Sequence, residues 1–73
     1  EDFYMEEKKI STEYITLGQF LKFANIIETG GREKEFLKTN VVLVNSIEEN
    51  RRGRKLYRGD VVEVNNNSFK ICW

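Results

Sequence analysis

The chain has 73 residues with 12 basic and 12 acidic side chains, so its formal net charge at pH 7 is zero, and it contains one Cys and no His. These counts exclude histidine chemistry, an internal disulfide and a multi-cysteine metal site, and no apolar run reaches the roughly 20 residues needed to cross a bilayer. A chain of this size is expected to form a single domain, residues 1–73, that buries only about 60% of its unfolded surface and has no deep substrate cavity. From the composition and the missing apolar run we also expect a cytoplasmic monomer without a cofactor, a metal ion or a membrane contact.

The first predicted elements are a strand and an amphipathic helix. Imperfect alternation of apolar and polar residues favours a strand around residues 8–15. Thr16 follows as a helix N-cap, because its hydroxyl can accept a hydrogen bond from an unpaired backbone N–H. Apolar residues then recur at the spacing of one helical face, at Leu17, Phe20, Leu21, Ala24 and Ile27. This spacing predicts a helix of about three turns with Gln19 and Lys22 on its exposed side.

A second short helix follows a glycine-containing connection. Thr29-Gly30-Gly31 interrupts the first pattern, and the next helix is predicted over residues 31–39, with Asn40 as a left-handed terminator. Lys34 and Lys38 lie one turn apart on this helix. We assign an anion-binding role to Lys34 and only an exposed position to Lys38. The two helices form a helix–turn–helix-like unit.

From residue 41 the apolar period changes to two, which predicts a small sheet. Strands are expected at residues 41–44, 47–50, 61–64 and 68–73, and turns at Asn45-Ser46, Arg58-Gly59-Asp60 and Asn65-Asn66-Asn67. The aromatic side chains expected in the core are Phe20, Phe23, Phe36 and Phe69. The predicted fold is α+β, with two short helices packed on a small, mainly antiparallel sheet of four to five strands.

The charges are unevenly distributed along this neutral chain. Residues 1–16 carry five acids and two lysines, whereas residues 17–60 carry nine bases and six acids. Within the second group, residues 51–58 hold five bases and no acid. Local clustering sets the potential near a surface, so a neutral protein can present a basic face. On the residues alone, nucleic-acid binding and a solvated charge cluster are equally good interpretations of this run.

Four stretches of the chain form a distinctive series. They are Ile15-Thr16-Leu17-Gly18-Gln19-Phe20-Leu21-Lys22, Thr29-Gly30-Gly31 with Lys34, Val42-Leu43-Val44-Asn45, and Asn50-Arg51-Arg52-Gly53-Arg54-Lys55-Leu56 through Gly59-Asp60-Val61-Val62. In order and spacing this series resembles the α-L RNA-binding domain, the module named after ribosomal small-subunit protein S-four. It is most similar to the short stand-alone bacterial members of the YaaA/YbcJ type. The likeness covers residues 14–64 and leaves residues 1–13 as an acidic N-terminal strand.

The resemblance implies a non-enzymatic protein that binds structured RNA, with ribosomal RNA or a ribosomal subunit as the expected partner and ribosome assembly as the expected setting. Its RNA-binding face would consist of the two helices and residues 50–58. The residues carried over as RNA contacts are Lys22, Lys34, Arg51, Arg52, Arg54 and Lys55. With the resemblance, RNA contact becomes the favoured interpretation of the basic run.

Two other functions remain open at this point. The same basic face could serve a DNA-binding accessory protein, or acidic residues 1–13 could be the surface by which a protein–protein adaptor binds its partner.

The roles of three single residues are also predicted. Tyr57 either borders the sheet, which we favour, or stacks on a base. Asp60 is expected to be a turn residue, and Cys72 a partly buried thiol that no His can activate.

Overall fold

The computed structural model describes residues 5–28 and 31–72, so Thr29, Gly30, the first four residues of the predicted acidic strand and the last residue of the predicted strand 68–73 lie outside the described part of the chain. Its elements, in chain order, are β1 (Met5–Lys9), β2 (Ile15–Thr16), α1 (Leu17–Phe23), α2 (Glu33–Thr39), β3 (Val42–Val44), β4 (Ile47–Glu48), β5 (Lys55–Leu56), β6 (Val61–Val64) and β7 (Asn67–Cys72). The predicted α+β class with two short helices is confirmed.

Five of the strands form one sheet in the order β1-β7-β6-β3-β4. Neighbours in this sheet are antiparallel except β1 and β7, which pair in parallel from Met5 opposite Ser68 to Lys9 opposite Cys72. Strands β2 and β5 form a separate antiparallel ribbon. The mainly antiparallel sheet is therefore confirmed, while the parallel edge strand and the separate ribbon were not predicted.

Alternating valines explain why β3 and β6 pair in one register. Val42 lies opposite Val64 and Val44 lies opposite Val62, and all four side chains are buried. A slip by one residue would turn every one of these side chains to the other face, so burial fixes the pairing. The connecting turns also follow their sequence. Asn65 and Asn66 have positive φ angles of 52° and 66°, which is the backbone of a tight hairpin turn that Asn tolerates.

The N-terminal strand was predicted in the wrong place. Instead of one strand around residues 8–15, the chain forms β1 (Met5–Lys9) and the short β2 (Ile15–Thr16). Between them Ile10 is buried and its N–H donates to the Cys72 carbonyl oxygen, while residues 11–14 are exposed. The chain leaves the sheet after Ile10 and reaches the ribbon only at Ile15. Part of the acidic segment is thus an edge of the main sheet.

Helix α1 is shorter than the apolar spacing predicted. Thr16 caps it as predicted, since its hydroxyl accepts from the Gln19 N–H and the Gln19 side chain accepts from the Thr16 N–H. The helix ends at Phe23 because Asn25 adopts a left-handed conformation with φ 60°. The N–H groups of Asn25 and Ile26 then donate to the carbonyls of Lys22 and Leu21, as in a Schellman motif.

Helix α2 ends at Thr39 as predicted, but it begins later than predicted and is capped differently. It begins at Glu33 rather than at residue 31. The expected left-handed terminator, Asn40, has φ −129° and is extended. Its side-chain amide ends the helix instead, by donating to the Phe36 carbonyl and to the Thr39 hydroxyl. A side-chain cap replaces the backbone conformation that Asn was expected to supply.

The core joins α1 to the main sheet. The rings of Phe20 and Phe69 meet edge to face with their centroids 5.5 Å apart, and both are buried. Phe36 is half-buried against the same core, as predicted. Phe23 is 47% exposed, so its predicted core position is wrong. Because α1 ends in the Schellman motif at that point, Phe23 lies on the last turn and faces outward.

Candidate nucleic-acid interface

The basic loop, defined here as residues 50–58, is fastened to the start of α1 by its backbone. The N–H of Leu17 donates to the Arg54 carbonyl at 2.8 Å, and the N–H of Gly18 donates to the Arg52 carbonyl at 2.9 Å. The first N–H groups of a helix have no partner within the helix. The loop supplies these partners, so the position of its backbone is set by α1.

Gly18 is the point at which α1, α2 and the basic loop meet. A Cβ atom placed on it would lie 3.1 Å from Cγ of Glu33 and 3.3 Å from Cβ of Arg52. Both distances are shorter than ordinary carbon–carbon contacts. Glycine therefore lets the start of α2 and the loop approach α1 closely. The Glu33 carboxylate accepts from the Gly31 N–H at 2.8 Å, directly before α2.

A buried carboxylate holds the loop from the side of the sheet. Glu49 follows β4, is 8% exposed, and donates its backbone N–H to the Val42 carbonyl. Its Oε2 accepts from Nε of Arg51 at 2.8 Å and from the Arg51 backbone N–H at 3.0 Å. Its Oε1 accepts from Nη2 of Arg51 at 3.1 Å and from Nη1 of Arg54 at 2.8 Å. Two guanidinium groups therefore bind one carboxylate.

These contacts move two pKa values in opposite directions. The side-chain hydrogen bonds from Arg51 are the main cause that lowers the pKa of Glu49 from 4.5 to about 2, and the Arg54 bond and the Arg51 backbone N–H add to it, whereas burial acts in the opposite direction. The same hydrogen bonds raise the pKa of Arg51. Glu49 is therefore ionised at neutral pH, and Arg51 stays positively charged beside it.

The structure distributes the six predicted contact residues over three elements. Arg51 and Arg54 are held by Glu49, although the Arg51 side chain is still 73% exposed. Arg52 is exposed in the turn of the loop, and Lys55 is exposed on β5 opposite Thr16. Lys34 is exposed in the first turn of α2, beside Glu33, and Lys22 is exposed one turn beyond Gly18 on α1. All six therefore belong to the three elements that meet at Gly18.

The sequence did not identify Glu49 as part of this interface. A signal was present, because the acidic pair Glu48-Glu49 closely precedes a run of five bases, with Arg51 and Arg54 two and five residues after Glu49. The roles predicted for two other residues agree with the structure. Asp60 is a turn residue that accepts from the Tyr57 N–H and from the Asn45 side-chain amide. Tyr57 lies beside the two-stranded ribbon and is 45% exposed.

Residues 5–28 and 31–72 contain neither a metal-binding cluster nor a membrane-spanning helix. No group of three or more His, Cys, Asp or Glu side chains in those ranges is arranged to hold a metal ion. No helix in that part of the chain is long and apolar enough to span a membrane.

Comparison with known proteins identifies the family. The model of the S4 domain matches residues 8–72, which include both helices, the basic loop and strands β2 to β7. A Bacillus subtilis (strain 168) protein named "Probable ribosome maturation protein RlbA" is similar, with 59% identity over 63 residues that cover 85% of this chain and 89% of that protein. No solved structure matches. The resemblance seen in the sequence is thereby confirmed, and the chain belongs to the S4 domain family.

Proposed function

We propose that this chain is a non-enzymatic RNA-binding protein that recognises structured ribosomal RNA during ribosome maturation. Two findings support the proposal. The chain belongs to the S4 domain family, and its sequence is 59% identical to that of a relative named as a probable ribosome maturation protein. In this proposal residues 1–73 act as one domain and as a monomer, in the cytoplasm where ribosomes mature. Its partners are ribosomal RNA or a ribosomal subunit.

The observation that carries the proposal is that the basic loop is positioned before any RNA arrives. Its backbone is bonded to the start of α1, and Glu49 orients Arg51 and Arg54. A loop that is already ordered loses less conformational entropy when it binds, so more of each phosphate contact contributes to affinity. Double-helical RNA is recognised through its shape and its phosphates, which suits a fixed array of cations.

The contacts divide into two kinds. Arg52, Lys55, Lys34 and Lys22 are exposed and extend toward solvent from three elements. These four are proposed to neutralise phosphates directly. Arg51 uses Nε and Nη2 on Glu49, which leaves Nη1 for a phosphate oxygen. Arg54 is half-buried and bonded to Glu49, so its first role is to hold the loop.

The test should substitute only side chains whose loss leaves Glu49 paired. We would measure binding of labelled ribosomal RNA fragments over a salt series for the wild type and for Lys34→Ala/Arg52→Ala. Each lost duplex phosphate contact should flatten the slope of log K against log salt by about 0.9. The double variant should therefore bind more weakly, with a slope flatter by about 2.

The matched control is Lys38→Ala/Lys70→Ala, which removes the same formal charge from an exposed helix position and an exposed strand position. This control should keep the wild-type slope. Equal slopes for all three proteins would contradict the proposed face, and a wild type whose affinity does not depend on salt would contradict phosphate recognition. Competition with duplex DNA of the same length separates an RNA binder from a DNA-binding accessory protein.

A further inference from the structure

We propose that Tyr14, Tyr57 and Lys55 form a stacking site for one unpaired RNA base at the edge of the basic loop. The inference rests on the proposed RNA-binding function and adds to it a second kind of contact. The loop and the helices would bind phosphates, whereas this cluster would bind the face of a base that has left the helix.

The two tyrosines are a cross-strand pair that continues the β2–β5 ribbon. Ile15 lies opposite Leu56 and Thr16 opposite Lys55, so the next antiparallel pair outward is Tyr14 with Tyr57. Their ring centroids are 5.9 Å apart and their planes are inclined by 50°. Unlike Phe20 and Phe69, these rings are not covered by the core, for Tyr14 is 38% and Tyr57 45% exposed. Each ring therefore offers π surface to a ligand.

Lys55 connects the Tyr14 and Tyr57 rings to the basic loop. Its Nζ lies 4.8 Å from the centroid of the Tyr14 ring, within the range of a cation–π interaction. Lys55 also belongs to the run of bases at residues 51–58. A cation in this position can meet the phosphate of a nucleotide whose base reaches the rings. The cluster thus combines charge and stacking, as sites for single-stranded nucleic acid do.

The backbone on both sides of the pair is held in place. The Thr12 hydroxyl donates to the Tyr14 carbonyl at 2.8 Å. Asp60 accepts from the Tyr57 N–H at 2.8 Å and donates its own N–H to the Tyr57 carbonyl at 3.0 Å. Tyrosine has few rotatable side-chain bonds, so rings on a fixed backbone lose little entropy on contact with a base.

A groove bordered by Tyr14, but not by Tyr57 or Lys55, provides space for a base that stacks on the Tyr14 ring. It has a volume of about 570 Å³ and is lined by Thr12, Glu13, Tyr14, Ile15 and Gln19. This volume falls within the range of small-ligand clefts. The Gln19 Oε1 accepts from the Thr16 N–H, so the side-chain NH₂ of Gln19 remains as a donor in the groove. An acceptor on the edge of a stacked base could use that donor.

The alternative is that the tyrosines only stabilise the ribbon as an aromatic cross-strand pair. The two roles respond differently to substitution. Tyr14→Leu/Tyr57→Leu keeps apolar bulk but removes the π faces, whereas Tyr14→Phe/Tyr57→Phe keeps the rings and removes only the hydroxyl groups. Thermal unfolding followed by circular dichroism would show that each protein folds before its binding is measured.

The experiment compares two RNA hairpins, one fully paired and one with a single bulged 2-aminopurine. The readout is the ratio of the two affinities for each protein. Stacking of one base contributes a factor of roughly 5 to 150 in affinity, so the wild type and the Phe variant should prefer the bulged hairpin within that range. The Leu variant should show a ratio near one. Binding of the wild type should also change the 2-aminopurine fluorescence, because stacking on a ring alters it.

The outcomes distinguish failure of the stacking site from failure of the proposed RNA-binding function. If wild type binds both hairpins equally with a salt-dependent affinity, the stacking site is refuted and the phosphate-binding proposal stands. The stacking site is also refuted if the Leu variant keeps the preference of the wild type. If wild type binds neither hairpin at low salt, the RNA-binding proposal fails and the stacking site fails with it.

Discussion

Replacing Glu49 with Gln tests whether one buried carboxylate fixes the basic loop. Gln has nearly the same shape, but it carries no charge and its NH₂ group would face a guanidinium donor. The four hydrogen bonds to Glu49 come from the side chains of Arg51 and Arg54 and from one backbone N–H. We therefore expect Glu49→Gln to lower the free energy of unfolding at pH 7 and to loosen the loop.

The size of the effect follows from the pKa of Glu49. A fall from 4.5 to about 2 corresponds to an upper limit of about 3 kcal/mol, at about 1.4 kcal/mol for each pKa unit. The partner Arg51 is 73% exposed, and solvent screens such a pair, so we expect a loss of about 1–2 kcal/mol. For a domain of this length that loss lowers Tm by roughly 4–16 °C.

The pH dependence gives an independent check with a fixed sign. Because the pKa of Glu49 is lower in the folded than in the unfolded protein, its stabilisation is complete above about pH 5 and is lost as the pH falls toward 2. Urea unfolding of wild type between pH 7 and 2 should show this loss, and Glu49→Gln should show less of it. Glu48→Gln is the matched control, since Glu48 is the exposed neighbour on β4. Identical curves for wild type and Glu49→Gln would refute the reasoning.

Two further substitutions test local structure outside the basic loop, one in the turn at Asn45 and one at the N-cap of α1. Asn45→Asp replaces the amide that donates to Asp60 at 3.1 Å with a second carboxylate, so urea unfolding should show a loss of about 1 kcal/mol. Asn66→Asp, also at positive φ, should be nearly neutral, and equal losses would contradict this prediction. Thr16→Ala removes the hydroxyl that accepts from the Gln19 N–H and should lower stability by about 1 kcal/mol. Thr16→Ser should restore it, and no recovery would show that the cap is not the cause.

The sequence predicted those features that depend on residues close together in the chain. The N-cap at Thr16 is decided within four residues and is confirmed, and the turn predicted at Asn65-Asn66-Asn67 is confirmed at Asn65 and Asn66, whereas Asn67 begins β7. The apolar runs at residues 41–44 and 61–64 are likewise local and predicted strands where β3 and β6 lie, although their pairing with each other was not predicted. Where two local signals competed, the stronger was missed, since Asn25 ends α1 although apolar spacing continues to Ile27.

The features that the sequence did not reveal depend on contacts between distant segments. The parallel pairing of β1 with β7 joins the two ends of the chain, and no periodicity indicates it. The pairing of Tyr14 with Tyr57 depends on a two-residue ribbon that is too short to give a pattern. Glu49 is buried where its backbone N–H donates to the Val42 carbonyl, seven residues earlier in the chain, and no local pattern indicates that burial. The distribution of charge along the sequence identified the basic run at residues 51–58. It could not show that Arg51 and Arg54 are paired with Glu49.

The pairing of Arg51 and Arg54 with Glu49 explains how an acid can stabilise a loop that is proposed to bind phosphates. Glu49 cancels one positive charge beside a run of five, which weakens the attraction for RNA. In return its carboxylate fixes Arg51 and Arg54 relative to α1, so the loop need not order itself during binding. A carboxylate between two guanidinium groups also reduces the repulsion between them. In the proposed function, RNA affinity depends on the loop being both basic and fixed, so we expect Glu49→Gln to weaken RNA binding although it makes the protein more positive.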